Sequence, residues 1–389
     1  MKVCAISFKE CWRDISGRWY SSGGFPLQMA AIGSLFDGMT LLITECEPTT
    51  GGSPLPDFAD IVPLLHPSGQ DARRKLSVLL HLPYYLNILF RYVRQADVVH
   101  CPLPGDIPFL GMLVALVLRK RLLVRYCGSW FPTRQTTLMN RVTRGMMRIF
   151  AGGRNVMLAT GDYPQPPAKN IHWIFVSVIS HAELTHVPPL VEHGLSVPPQ
   201  LVYVGRLSTE KGVHILIQAV SQLQREGFQP MPVITLIGDG PQHGILEHMV
   251  RDLNLIFVFV FRGQLDRDGL LKELPQADLC VLPSLTESYG KARLEAMMCG
   301  LPVLTTDVGS AYSIIGRNGE RGWVVPPGDV QGLVTALRRV LSEPLDWFAL
   351  RKNCRLYVEG RTLEAWAQQI GQICVKQWNL YWNEGKLSQ

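Results

Sequence analysis

The sequence has 389 residues, long enough for two domains that each bury a core of their own, at roughly 100–200 residues per domain. Hydrophobic residues make up 47% and charged residues 18%, a balance that excludes a disordered chain. The net charge of +6 is unevenly spread: residues 1–190 hold 19 Lys+Arg against 12 Asp+Glu, whereas residues 191–389 hold 19 against 20.

The N-terminal MKVCAISFKECW has charges on both sides of a short apolar run and no small-residue cleavage site, so it reads as a first β-strand and not as a signal peptide. The nine cysteines are odd in number and scattered without a CxxC pair or His-spaced ligands. They read as reduced thiols of a cytosolic protein that needs no metal. No nucleic-acid partner is expected.

In chain order, the first half predicts the strand KVCAISF, a Gly-rich turn, the helix FPLQMAAIGSLF and the strand MTLLIT. The strand ADVVHC, a helix over 107–118, the strand RLLVRYCG, a helix near 135–150 and the strands VMLAT and HWIFVS follow. The Pro-rich stretch 185–200 marks a linker. A second series then runs QLVYVGRL, helix 212–226, PVITLIGDG, helix 241–253, FVFVFRG, helix 268–276, ADLCVLP, helix 290–299, LPVLTTD and helix 329–342. Strands alternating with helices of ten or more residues predict parallel sheets covered on both faces, that is, α/β domains of the doubly wound kind. The predicted division is 1–187, 188–361, and a closing helix and tail over 362–389.

Two apolar stretches of the first half have basic ends. Arg73, Arg74 and Lys75 precede residues 76–90, which Arg91 and Arg94 close, and Arg119, Lys120 and Arg121 follow 107–118. His81, Pro83 and Asn87 interrupt the first, and the second is shorter than the ~20 residues a bilayer demands. Buried helices with solvated ends are one reading; contact with an anionic membrane surface is the other.

The sharpest motif is TESYGKARLEAMMCGLPVLTTDVG, in which Glu287 and Glu295 frame a Glu-x7-Glu spacing. Glu287 ends a loop after a strand, Gly290 stands at the helix start and Glu295 lies inside the helix. Ser288, Tyr289, Gly290 and Lys291 then surround free backbone amides that suit an anion. Gly238 and Gly240 of GDGP make a strand-to-helix turn, with contact to a bound base through the backbone as the functional alternative. Asp266 and Asp268 form an Asp-x-Asp, which N-capping of the next helix explains better than metal binding.

Through GRLSTEKG, GDGP, the Glu-x7-Glu segment and RGWVVPPGD, the second half resembles the retaining glycosyltransferases of the glycosyl-group-one family. The resemblance implies the GT-B fold: two Rossmann-like domains about a central cleft, with a C-terminal helix crossing back to the first domain. It also implies transfer of a sugar from a nucleotide-sugar donor to an acceptor hydroxyl, without metal or other cofactor. Under it, Arg206 and Lys211 bind the donor diphosphate, Glu287 lies beside the transferred sugar and Glu295 binds the ribose. Gly23 and Gly24 match the family's glycine loop, with a plain turn as the alternative.

Where the family has a histidine, this chain has Cys127. His100 and Arg125 are further candidates for acceptor or sugar contact, Arg125 toward an anionic acceptor. The expected acceptor is a glycan or lipid-linked molecule, met by a cytoplasmic enzyme that docks peripherally on the inner membrane face. Two rival readings are a sugar-nucleotide-binding protein without turnover and a sugar-nucleotide epimerase on the same fold.

Overall fold

The structure is a computed structural model and describes residues 1–49, 52–69, 71–132, 136–192, 194–383 and 385–388. It divides into unit 1, residues 1–178 with 363–389, and unit 2, residues 179–362.

Unit 1 runs β1 (Lys2–Arg13), β2 (Trp19–Ser21), α1 (Phe25–Gly33), β3 (Gly38–Glu45), β4 (Ser53–Pro54), β5 (Ala59–Leu64), α2 (Asp71–Leu80) and α3 (Leu82–Gln95). It continues with β6 (Val98–Leu103), α4 (Asp106–Val117), β7 (Arg121–Tyr126), α5 (Leu138–Phe150), β8 (Asn155–Thr160) and β9 (Ile171–Ile174). Unit 2 holds α6 (His181–His186), β10 (Gln200–Val204), α7 (Val213–Arg225), β11 (Val233–Ile237), α8 (His243–Asp252), β12 (Phe259–Gly263) and α9 (Arg267–Glu273). Then come β13 (Leu279–Leu282), α10 (Lys291–Met298), β14 (Val303–Thr306), α11 (Ala311–Ile315), β15 (Gly322–Val325), α12 (Val330–Ser342) and α13 (Trp347–Glu359). The chain ends in unit 1 with α14 (Leu363–Trp378) and the hairpin β16 (Tyr381–Asn383) and β17 (Lys386–Ser388).

The parallel strands of unit 1 lie in the order β5-β3-β1-β6-β7-β8-β9, with short antiparallel β2 and β4 added at the far end of β1. Side chains of β1 alternate between the two faces. Val3, Ala5 and Cys11 join α1 and α14, while Cys4 and Ile6 join α3 and α4. Period-two alternation with both faces apolar is what a doubly covered sheet requires. The parallel sheet of unit 2 has the order β12-β11-β10-β13-β14-β15. In each unit the order reverses beside the first strand, β1 against β6 and β10 against β13, so the loops leaving those strands diverge and open a crevice.

Helix α14 follows unit 2 in sequence yet packs on α1, with Trp366, Ile370 and Cys374 fully buried beside Phe25 and Met29. The unit boundary falls earlier than the expected break after residue 187. Glu183 and Ser180 form a capping box at the start of α6, and Glu183 Oε1 accepts from Arg267 Nε at 2.7 Å, which ties α6 into unit 2. The apolar stretch 76–90 is two helices, α2 and α3, with Pro83 in the first turn of the second, where its missing amide costs nothing. Of the two readings of segment 107–118, the structure has the buried helix. Ile107, Met112, Val114 and Ala115 of α4 are core against β1 and β6, and Val117 at its end is exposed. The hairpin β16–β17, β5 and α13 carry no predicted counterpart; β5 holds Pro63 and lies at the sheet edge, where a missing amide is tolerated.

The closure of unit 1 by α14 is open to test. Trp366→Ala removes a fully buried indole over which the Arg125 guanidinium lies at 4.9 Å. It should cost about 3–5 kcal/mol in the unfolding transition of unit 1, followed by urea denaturation.

Candidate active site

The crevice of unit 2 is built by backbone contact. Gly212 has φ +68°, and a Cβ there would lie 2.1 Å from the Pro283 carbonyl oxygen, so the loop after β10 sits directly on the loop after β13. Leu285 N–H donates to Glu210 O at 2.8 Å across the same seam. This juxtaposition brings together Lys211, at the end of a short 3-10 turn (Thr209–Lys211), and Glu287, and Lys211 Nζ donates to Glu287 Oε1. Ser284 Oγ adds a longer contact to the same carboxylate oxygen at 3.4 Å. Arg206 stands exposed at the mouth of the β10 loop, its carbonyl held by Tyr203 Oη at 2.9 Å.

The loop 283–290 is clamped from behind by Arg293, which is 1% exposed. Its guanidinium donates to Tyr289 O at 2.9 Å, to Thr305 Oγ1 at 3.1 Å and to Val308 O at 3.2 Å. Gly290 at φ +82° leaves room for that side chain, since a Cβ there would meet Arg293 Nη1 at 2.5 Å. Gly309 similarly leaves room for the Ser288 carbonyl, which a Cβ would meet at 2.6 Å. Helix α10 starts at Lys291 with Gly290 as N-cap and no side-chain cap, so the amides of its first turn bring the positive end of the helix dipole to this loop. Half-exposed Ser288 and exposed Lys291 flank them.

Glu295 lies on α10 and is bound by a residue the sequence did not single out. Arg267 Nη1 donates to Glu295 Oε1 at 2.7 Å while its Nε holds Glu183. Burial works against the Arg267 charge, but Glu295 and Glu183 outweigh it and raise the guanidinium pKa. Burial also pushes the Glu295 carboxyl up, against the pull of Arg267.

Burial and packing sort the other candidates of the second half. Tyr289 is 1% exposed, so its side chain is core and only its backbone borders the crevice. Gly238 and Gly240 are glycine for packing: Cβ atoms there would lie 1.9 Å from Gly205 O and 2.4 Å from Leu207 O, where the loops after β10 and β11 press together. Asp266 Oδ1 accepts from the Gly269 amide at 2.8 Å as the N-cap of α9.

In unit 1, Gly23 has φ +64° with open space around it, and Gly24 is the N-cap of α1 without a side-chain cap. His100 and Arg125 do not reach solvent, which corrects their assignment to acceptor contact. His100 is 0% exposed and its Nδ1–H donates to Leu123 O at 3.0 Å. Arg125 is 3% exposed, donates to Gln28 Oε1 at 2.9 Å and lies under Trp366. Both face α1 and α14 and so serve the packing of unit 1. Cys127, half-exposed just beyond β7, has its thiol 3.5 Å from Arg125 O.

Among sequence signals, Arg293 was visible as the charge on an otherwise apolar helical face. Arg267 had none, because its partners come from 28 and 84 residues away.

Burial and the neighbouring Arg125 charge push the His100 imidazole down to about 3. The folded chain therefore refuses a proton that the unfolded chain takes up below the ordinary value near 6.5, so stability present at neutral pH is lost as pH falls from there toward 3. The loss between pH 6.5 and 5 is about 1.5 kcal/mol. His100→Asn, whose amide can replace Nδ1–H, should flatten that dependence in urea titrations at pH 5 and pH 7.

Residues 192–360 match the family described as Glycosyl transferases group 1. Glycogen synthase of Mycobacterium tuberculosis is 40% identical over 147 residues, which are 38% of this chain and 35% of that protein, so the match spans about a third of the relative's length. Solved structures cover nearly the whole chain. Sucrose-phosphate synthase from Thermosynechococcus elongatus superposes with a TM-score of 0.69 at 21% identity over 97% of this chain and 98% of that one. Anabaena HepE, in complex with UDP-glucose, gives 0.67 at 18% identity over 97% and 100%. With these likenesses and two parallel sheets that each reverse order beside their first strand, the chain has the GT-B fold, and within it residues 192–360 are similar to the group 1 glycosyltransferases.

Proposed function

We propose that the chain is a retaining, metal-independent glycosyltransferase that moves a sugar from a nucleotide-sugar donor to an acceptor hydroxyl. The observation that carries this reading is the Lys211–Glu287 pair at the crevice of unit 2, beside exposed Arg206 and the uncapped start of α10. A nucleoside diphosphate leaving group gains negative charge as the glycosidic bond breaks. Lys211, Arg206 and the first amides of α10 then stabilise the transition state more than the ground state. The diphosphate replaces Glu287 as the partner of Lys211, which frees the Glu287 carboxylate to accept from a sugar hydroxyl. Glu295 keeps one carboxylate oxygen on Arg267 and offers the other to the ribose.

Retention fits a front-face displacement in which the departing phosphate oxygen takes the acceptor proton. Double displacement would instead require the Glu287 carboxylate to reach the anomeric carbon from the face opposite the leaving group. The UDP-glucose complex of the Anabaena neighbour makes uridine diphosphate sugars the first donors to assay. Transfer and donor binding, measured in the presence of EDTA, should fall roughly 30-fold or more in Lys211→Ala and in Arg206→Ala, as expected for a charge pair of about 2–5 kcal/mol in a partly desolvated crevice. Full activity in both variants overturns the diphosphate assignment, and rescue of an EDTA-silenced enzyme by Mg²⁺ overturns metal independence. Donor binding without turnover points instead to a sugar-nucleotide-binding protein.

We also propose a lipid-linked or anionic glycan acceptor met at the inner, cytoplasmic membrane surface. No helix among the described residues is long and apolar enough to cross a membrane. Helix α2, however, exposes Leu76 at 56%, Leu79 at 63% and Leu80 at 71%, beside exposed Arg73 and Lys75. Three leucines left in water on one helical face, next to two cations, suit an anionic interface. Co-sedimentation with phosphatidylglycerol vesicles should weaken as salt rises and drop when Leu76, Leu79 and Leu80 are changed to Ser. Equal recovery in the supernatant with and without vesicles removes the membrane reading and leaves the donor assignment untouched.

A further inference from the structure

The basic run Arg119–Lys120–Arg121 takes no part in the crevice described above. It connects α4 to β7 at the edge of the unit 1 sheet where β6, β7 and β8 begin, opposite their C-terminal ends. There Arg119, Lys120, Arg121 and Arg154 line an open cavity of about 510 Å³ together with Asp97 and Trp378. Asp97 Oδ2 already accepts from the Lys2 amide at 2.7 Å, and none of the four cations forms an ion pair among the described residues.

Helix C-termini account for only part of this charge. Lys120 Nζ donates to Arg94 O and Ala96 O, both at 2.8 Å, and so satisfies the end of α3. Three guanidiniums remain. Arg154 uses Nη1 on Arg119 O at 3.1 Å, and Arg121 Nη1 has a weak contact of 4.0 Å with Met1 Sδ. Most of their donors are unspent. Arg119 also sits at φ +52°, just past the end of α4, where glycine or asparagine is the favourable residue. The chain carries backbone strain to keep an arginine at the rim. The cavity is braced as well, because Trp378 Nε1 of α14 donates to Arg154 O at 3.0 Å.

Like charges gathered around one cavity repel each other unless an anion joins them, and planar guanidinium forks suit the oxygens of a phosphate. We propose that this cavity is a second ligand site, on unit 1, for a phosphate-type anion carried by a phosphorylated small molecule or a phospholipid head group. The volume leaves room for an esterified group beside the phosphate. A bound phosphate group links the starts of β7 and β8 to the end of α14, so occupancy stabilises the closure of unit 1. The site belongs to unit 1, and its argument does not rest on the proposed donor crevice of unit 2.

The test uses the full chain carrying Arg206→Ala and Lys211→Ala, so that the donor crevice does not report, with sodium pyrophosphate as probe. Calorimetry should show saturable binding that weakens about tenfold or more when Arg119→Asn and Arg154→Gln are added, the asparagine being chosen to keep the positive φ. Binding should be unchanged by Arg251→Gln with Lys272→Gln, two exposed charges of unit 2. Hydrogen exchange on the chain with both cavity arginines intact should slow over 119–122, 153–156 and 376–380. Absence of saturable binding, equal weakening by the two variant pairs, or protection confined to other segments overturns the proposal. Vesicles with and without phosphatidylglycerol identify the source of the phosphate. Co-sedimentation that drops in Arg119→Asn/Arg154→Gln assigns a lipid head group, and co-sedimentation unchanged while pyrophosphate binding is lost assigns a soluble phosphate ester.

Discussion

The crevice of unit 2 depends on one close approach, the backbone of Gly212 against the carbonyl of Pro283, where a side chain has no room. From that contact follow the Leu285–Glu210 backbone bond, the seating of the loop after β13 and the meeting of Lys211 with Glu287, which are 76 residues apart in the chain. A parallel sheet places the loops of β10 and β13 side by side. It does not by itself bring their side chains within bonding reach. The glycine removes the last obstacle, and the ion pair follows from where the two loops then lie.

The two glutamates of the Glu-x7-Glu segment differ in the mobility of their partners. Glu287 is held by a lysine, a point charge on a flexible stem that can turn to a stronger anion at small cost. Glu295 is held by an arginine whose planar fork is shared with Glu183, and breaking that arrangement strands two partly buried carboxylates. The first pair is therefore exchangeable and the second is fixed. One loop and one helix thus supply an adaptable carboxylate and a rigid one.

Buried guanidiniums recur in both units, and their partners explain their effect. Arg293 spends its donors on a tyrosine carbonyl, a threonine hydroxyl and a valine carbonyl, so it fastens the loop before α10 to the loop after β14. Arg125 joins β7 to α1 through Gln28 and to α14 through the Trp366 ring. Arg351 of α13 reaches Asp278 at the start of β13, whose carboxylate also accepts from the backbone at Ser196 and Gln200. A cation in a core must find acceptors, and the acceptors available there are loop carbonyls and strand ends. Arg293 and Arg351 therefore each fix an irregular segment that apolar packing alone leaves loose, while Arg125 ties a strand to two helices.

The sequence by itself determined the alternation of strands and helices in both halves, the turn glycines and the motif order of the second half. Each of these is written in local pattern: period two against period 3.6, glycine where φ is positive, and a fixed spacing of charged residues. Only the tertiary structure decided that Arg267 rather than solvent meets Glu295, that His100 and Arg125 serve the core, that Tyr289 is buried while Ser288 is not, and that segment 107–118 is covered while α2 is not. The physical reason is that burial and charge pairing depend on which elements become neighbours. In a parallel α/β sheet those neighbours are brought together by crossovers tens of residues long, beyond the reach of any local pattern.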